Sequence, residues 1–348
     1  VEPLLPPALP EDLDWGRVVG ITTTVPAEIL FAAGCIPVDL NNLFITAQRP
    51  GDLARMAERA GFPRTCCCWT KGIYGAVKAF SVRRVLTVTR GDCSNAQALA
   101  EILQHEGVEC LAFDYPARQD RSAAQRALTA LAESLGTDLD SAEQWRQNLK
   151  TPRAAAREID GLSWRAGRSS GLENHLWLVS TSDFCGEPAR FERAAQAAAD
   201  RIGARPPIAH ALRLGVCGVP PIVPDLFGFL ESLGALVVYN ELPRQFCMDT
   251  SAPSLAEQYT RYTYPYGVFA RLRDIRAQCR PRRLDGLIHY VQSFCHRRIE
   301  DRIIRDRAAV PVLTLEADRP GPLSGQLKTR LETFAQVLLA RRRRATAR

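Results

Sequence analysis

Short apolar runs, each followed by a stretch of helical spacing, dictate what this chain can fold into. They stand just after Gly16, at Cys35–Leu40, Arg84–Thr89 and Val108–Phe113, and again at Arg213–Val219, Ala235–Tyr239, Gly286–Val291 and Val310–Leu315. A strand that is apolar on both faces must be covered on both. Alternation with helices supplies the cover, so the expectation is an α/β protein built on parallel sheets. Helix-start signals agree: Thr22, Thr23 and Thr24 precede Pro26 and Glu28, and the helix they open, Ala27–Ala33, stops at Gly34. Between the two groups of strands the strand signal almost vanishes, and alanine, arginine, glutamate and leucine at helical spacing fill 123–135, 141–159 and 191–202. The organisation read from this is an N-terminal α/β domain at 16–118, a helical section at 119–205, a C-terminal α/β domain at 206–340 and a basic tail at 341–348.

A chain of 348 residues can bury a core in each of these parts. Its net charge of +7 falls to +2 without Arg341, Arg342, Arg343, Arg344 and Arg348. The basic balance therefore belongs to a solvated helix end running into a frayed tail, and no nucleic-acid partner is expected. No apolar run approaches the roughly 18 residues of a spanning helix, and residues 1–7 hold no basic region followed by an apolar one. The expectation is a cytoplasmic protein with no membrane partner. No P-loop occurs, and Gly215 with Gly218 does not make a dinucleotide fingerprint, so the chain is not expected to hydrolyse ATP itself. Tyr259, Tyr262, Tyr264, Tyr266 and Phe269 form an aromatic patch, read as core or as a contact between subunits.

Eleven cysteines, an odd number in a long chain, argue for metal ligation or buried thiols rather than a disulfide framework. Three are consecutive, Cys66, Cys67 and Cys68, just before a helix around Gly72–Phe80. Adjacent side chains diverge by about 100° in a helix and about 180° in a strand, so the run offers one ligand, at most two. At a helix N-terminus free N–H groups and the dipole stabilise a thiolate or an anionic cluster. Cys93 and Cys295 repeat the setting. Each stands at the C-terminal end of a strand and before a helix, the first of these helices capped by Ser94 or Asn95. Ligands of open α/β folds bind in that crevice, and two facing domains would gather Cys93, Cys295 and a member of the run in the cleft between them. Three thiolates suggest a metal centre with one position open. Zinc is one reading, although no C-x-x-C pair is present; an iron-sulfur cluster, which tolerates ligands from distant segments, is favoured. Cys35, Cys110 and Cys217 read as core residues, and Cys185 lies on a loop.

Several segments taken in order carry a likeness to known proteins: Val25-Pro26-Ala27-Glu28 with Ala32-Ala33-Gly34, Cys67 with Lys71 and Tyr74-Gly75, and Gly91-Asp92-Cys93. It continues in Gly215 through Pro220 with Glu231 and Gly234-Ala235, in Gln292 through Cys295, and in Glu316, Asp318, Gln326, Thr329-Arg330 and Phe334. In these the chain resembles the 2-hydroxyacyl-CoA dehydratase and benzoyl-CoA reductase type of iron-sulfur proteins, of the 2-hydroxyglutaryl-CoA dehydratase D-component kind. The resemblance implies two flavodoxin/Rossmann-like domains joined by a helical section and a [4Fe-4S] cluster held by three cysteines. Aligned on Lys71 and Tyr74-Gly75, it selects Cys67 from the run, with Cys93 and Cys295 as the other ligands. It also implies a homodimer, or a heterodimer with a homologous subunit, fed single electrons by a separate ATP-dependent iron-sulfur activator and acting on acyl-CoA thioesters through ketyl radicals.

Relatives with a double-cubane cluster need a second cysteine set. The corresponding stretches here, Tyr239–Pro243 and Thr263–Tyr266, have none, so a single cluster is favoured, with Cys66, Cys68, Cys185 and Cys247 left as the cysteines a larger one would draw on. His296, Glu316 and Asp318 are acid-base candidates by position, and Lys71 and Arg330 are candidates for holding an anionic substrate or balancing cluster charge. The alternatives are a non-catalytic subunit that relays electrons to a homologous partner, and a double-cubane-cluster reductase of small molecules.

Overall fold

The computed structural model describes residues 2–346. In chain order the first part comprises β1 (Val18–Ile21), α1 (Ala27–Ala32), β2 (Ile36–Asp39), α2 (Leu40–Thr46), α3 (Pro50–Arg59), α4 (Cys68–Ala79), β3 (Arg84–Arg90), α5 (Ser94–His105) and β4 (Glu109–Asp114). Five helices follow, α6 (Arg121–Ser134), α7 (Leu139–Asn148), α8 (Lys150–Trp164), α9 (Gly171–Val179) and α10 (Pro188–Gly203). The last part opens with β5 (Leu212–Gly218), α11 (Leu226–Ser232), β6 (Ala235–Asn240), α12 (Glu241–Phe246), α13 (Leu255–Arg261) and α14 (Val268–Cys279). It closes with β7 (Gly286–Val291), α15 (His296–Arg307), β8 (Val312–Glu316) and α16 (Gly325–Thr346).

Among the described residues these strands form two four-stranded sheets, in the orders β2-β1-β3-β4 and β6-β5-β7-β8. Every pairing is parallel. The expected α/β class with two parallel sheets is therefore what forms, and both sheets carry the same strand order. In each the chain reverses its direction of progress between the first strand and the third, which leaves a crevice at their C-terminal ends.

Successive strand residues point to opposite faces, and both faces are covered. Val18 packs in one core and Val19 in another. The first core runs through both parts of the molecule, joining Val38, Phe44 and Tyr74 to Leu214, Ile222 and Tyr290. The second packs Val19, Ile21 and Val88 of the first sheet against Leu242, Phe246 and Tyr259 from α12 and α13. The first core thus joins the two sheets, and the second fastens α12 and α13 to the other face of the first sheet.

Several elements depart from expectation. Helices α2, α3, α9, α12, α13 and α14 occupy stretches where the sequence reading placed none. Helix α3 opens on Pro50 and Gly51, a pair that reads as a loop although proline is well tolerated where the helix needs no N–H. Helix α9 opens with a capping box, Ser170 and Glu173 exchanging hydrogen bonds with each other's backbone. At the other end, α16 runs on to Thr346 instead of stopping near Leu339, so most of the basic tail is exposed but helical rather than frayed; Arg342 reaches the Ala211 carbonyl and Asp285. Arg348 lies outside the described residues. The aromatic patch divides: Tyr259 and Tyr262 are buried against Tyr115 within the chain, and only Phe269 is strongly exposed. No described helix is long and apolar enough to cross a membrane.

One buried ion pair ties all three parts. Glu28 at the start of α1 accepts from Arg153 Nη1 of α8 at 2.7 Å, and from Gln258 Nε2 and the Tyr259 hydroxyl of α13 at 2.7 and 2.8 Å. Burial alone would raise this carboxyl, but the Arg153 charge and the hydrogen bonds prevail and hold it below the usual glutamate range. Its contribution to stability is therefore complete above that range and is lost as pH falls through the depressed value. Arg153→Met leaves a buried carboxylate uncompensated and should lower the unfolding free energy by about 3–5 kcal/mol in urea titrations at neutral pH. The double variant Glu28→Gln/Arg153→Met should recover a large part of that loss.

Candidate metal centre

The three cysteines singled out from the sequence share one backbone position. Cys67 is the N-cap of α4, Cys93 of α5 and Cys295 of α15. For α5 this corrects the expected cap, since the helix already begins at Ser94 and moves the cap from Ser94 or Asn95 to the cysteine. The first-turn amides of a helix have no partner within it. Those of Thr70 and Trp69 face the Cys67 sulfur, and those of Ala96 and Asn95 face Cys93. Cys93 and Cys295 also hold corresponding places, each following the third strand of its sheet beside the crevice.

Helix α4 is set by close backbone approach. A Cβ at Gly72 would stand 2.3 Å from the Phe44 ring, and one at Gly75 would stand 2.2 Å from the Leu53 carbonyl oxygen. The two glycines let α4 lie against α2 and α3, which fixes where Cys67 emerges. The neighbours of Cys67 turn elsewhere: Cys68 is buried in the core that spans both sheets, and Cys66 is half-buried. Lys71, one turn on, is buried with its ammonium 2.7 Å from Glu58 Oε1 and 3.1 Å from the Arg64 carbonyl. Burial pushes the Cys66 and Cys68 thiols up, Cys68 to about 12, and the Lys71 charge only partly offsets this.

The turn before Cys295 is held by side chains. Phe294 adopts φ of +62°, a left-handed conformation costly for a bulky residue, and is 79% exposed. Ser293 N–H donates to Asp318 Oδ1 at 2.7 Å, and its hydroxyl stands 2.7 Å from both Glu316 Oε1 and Asp318 Oδ2. Glu316 and Asp318 thus come together at the turn that presents Cys295. Ser293 completes the cluster and was not singled out in the sequence, where nothing marks it. His296 is exposed at the first position of α15. Arg330 lies on the surface of α16 and donates to the Thr314 carbonyl of β8.

Across the cleft the two parts touch through charge and amide groups. Arg297 is buried, stacked with its guanidinium carbon 4.0 Å from the centre of the Tyr264 ring, and it faces Asp92. Burial pushes the Asp92 carboxyl up to about 6 even against that guanidinium. Gln292, the residue after β7, takes the Cys67 thiol at 3.1 Å and the Cys68 N–H at 2.9 Å on one oxygen. This contact was also absent from the sequence reading, because its partners are more than two hundred residues away.

The thiols act on one another. Burial pushes Cys67 up to about 11, its amides pull it back, and the Cys295 sulfur adds to the rise. Burial pushes Cys93 up to about 12, with Asp92 and then Cys67 contributing. Among the described residues no three His, Cys, Asp or Glu side chains crowd a point where one metal ion could sit. What the donor set suits is a group with several attachment points and negative charge of its own. Three sulfurs at three helix N-termini, with an unpartnered buried N–H group on Gln292 Nε2, match the demands of an iron-sulfur cluster.

The family model described as 2-hydroxyglutaryl-CoA dehydratase, D-component, matches residues 22–338, nearly the whole chain. No curated protein matches it.

The loop that carries Cys93 leaves no room for a side chain. Gly91 has φ of +100°, and a Cβ there would stand 2.8 Å from Pro265 Cβ and 2.9 Å from Tyr115 Cβ. Gly91→Ala should therefore cost about 1–3 kcal/mol in urea unfolding. If the same strain displaces Cys93, metal uptake by the variant should fall relative to the parent chain, measured under identical anaerobic loading.

Proposed function

Because the chain belongs to the 2-hydroxyglutaryl-CoA dehydratase D-component family, we propose that it carries a [4Fe-4S] cluster on Cys67, Cys93 and Cys295. With it the chain acts in the cytoplasm as the cluster-bearing component of a 2-hydroxyacyl-CoA dehydratase or acyl-CoA reductase. The observation that supports this most is the placement of three cysteines, from distant segments, at three helix N-termini bordering one cleft. When bound, the cluster supplies a low-potential electron and a Lewis-acidic iron to the substrate thioester.

The chain's own groups have separate tasks in this reading. First-turn amides at Thr70, Trp69, Ala96 and Asn95 stabilise charge on the ligand sulfurs. Arg297, held on Tyr264 and facing Asp92, fixes positive charge at the wall of the cleft. Glu316 and Asp318 are exposed acid-base candidates that also keep the Cys295 turn in place through Ser293. His296 is the third acid-base candidate, its imidazole pushed down to about 4 by desolvation and the neighbouring Arg297 charge. Lys71 serves α4 through Glu58 and reaches the site through its charge. Arg330, exposed on α16, is left as a contact for anionic groups of the substrate or a partner. Electrons come from a separate ATP-dependent iron-sulfur activator, in keeping with a chain that has no P-loop, and the working assembly is a homodimer or a heterodimer with a homologous subunit.

A single cluster is favoured over a double cubane because Cys185 and Cys247 are buried in the helical core and Cys68 in the core between the sheets. One observation favours the electron-relay reading: both Glu316 and Asp318 are engaged with Ser293 rather than free. Turnover by the isolated chain with a reductant supports the enzyme; strict dependence on a second, homologous chain supports the relay.

Anaerobically prepared protein should contain iron and acid-labile sulfide in equal amounts, about four of each per chain. Zinc without sulfide sinks the proposal, and about eight irons per chain points to the double cubane. Serine at Cys67, Cys93 or Cys295 should strip or badly destabilise the cluster, since a neutral hydroxyl is a poor ligand for iron. Serine at Cys110 or Cys217 should leave iron content unchanged and cost only packing.

A further inference from the structure

Gln292, which follows β7, reaches the cysteine run from the C-terminal part of the chain. It is 1% exposed, and its oxygen already has two donors, the Cys67 thiol and the Cys68 N–H. Its nitrogen has none: Nε2 is buried with no hydrogen-bond partner. A flipped amide does not cure this, because it would set N–H against the Cys68 N–H, which can only donate. The orientation is therefore fixed by the backbone of α4, and two buried N–H donors are left without an acceptor in the chain. Buried donors of this kind are rare and call for a partner that is not part of the polypeptide.

We infer that Gln292 is a positioning residue that reaches from the C-terminal half of the molecule, is held by the Cys68 N–H, and donates an N–H hydrogen bond to a sulfur of the group Cys67 binds. The inference rests on the cluster reading above and deepens it. A cysteine bound to iron carries no proton, so ligation removes one of the two donors from the Gln292 oxygen and leaves the other, Cys68 N–H, to hold the amide. The same amide group then places its Nε2 beside the ligand sulfur, where cluster sulfur is the acceptor it lacks. Groups just outside the ligands orient and tune a metal centre in this way. A hydrogen bond to cluster sulfur stabilises the reduced, more negative state and so raises the reduction potential.

The test compares the parent chain with Gln292→Leu and Gln292→Glu after anaerobic loading. Gln292→Glu keeps an acceptor for the Cys68 N–H and the shape of the side chain, and so guards against simple misfolding, but it has lost the amide donor. Both variants should show a midpoint potential more negative than the parent, measured by redox titration of the electron paramagnetic resonance signal. In heavy water the reduced parent should show an exchangeable deuteron coupled to the cluster that Gln292→Leu lacks. A loaded Gln292→Leu, or a loaded Gln292→Glu where the first does not fold, with unchanged potential and deuteron coupling overturns the inference and leaves the cluster standing. A parent chain that takes up no iron and sulfide overturns the cluster reading itself, and the inference with it.

Discussion

Three helices, α4, α5 and α15, each begin at a cysteine N-cap, and the three sulfurs lie near enough for their charges to act on one another. Each end carries about half a positive charge, and the buried guanidinium of Arg297 adds to them. Such a convergence is unfavourable unless negative charge sits among them, and of the nearby carboxylates Asp92 is opposed by its own burial. The arrangement is a consequence of the sheets. In a parallel βα unit the C-terminal end of a strand and the N-terminal end of the next helix lie on the same edge, so two such sheets facing each other gather several positive ends together. Placing thiols at the caps gives those ends a charge to hold.

Much of this was legible in the sequence because strands buried on both faces are apolar throughout and are bounded by the glycines and hydroxyls that end and start helices. The crevice positions of Cys93 and Cys295 followed from that alone. What was not legible has physical reasons. Periodicity cannot say which of three adjacent cysteines emerges from α4; that is decided by Gly72 and Gly75 drawing the helix against Phe44 and Leu53. Those contacts involve α2 and α3, whose first turns look like loop. The capping box at Ser170 and Glu173 was a readable signal that went unread, whereas the amide of Gln292 carries no signal at all without the fold. The tyrosines of the aromatic patch were legible as core or as a subunit contact, but their partner was not, because Tyr115, which they cover, comes from the other part of the chain.

The helical section is more than a spacer. Arg153 of α8 joins Glu28 of α1 to Tyr259 and Gln258 of α13 through a single buried carboxylate. A charge so deeply buried tolerates little movement of its partners, since each lost hydrogen bond would leave desolvated charge behind. Rigidity on that side contrasts with the exposed turn at Phe294, where a left-handed backbone is held by hydrogen bonds that Ser293 donates to exposed carboxylates. The molecule is thus firmly pinned behind the first sheet and more lightly held where Cys295 is presented.

The two sheets share one strand order, yet they do not contribute equally to the cleft. Cys93 and Cys295 are counterparts, but the helix before the third strand begins after Cys67 in the first sheet and after Gly267 in the second. An occupant bound by all three thiols is therefore held two to one. A group needing three attachments would lean on the N-terminal part, an asymmetry set within two sheets of identical strand order.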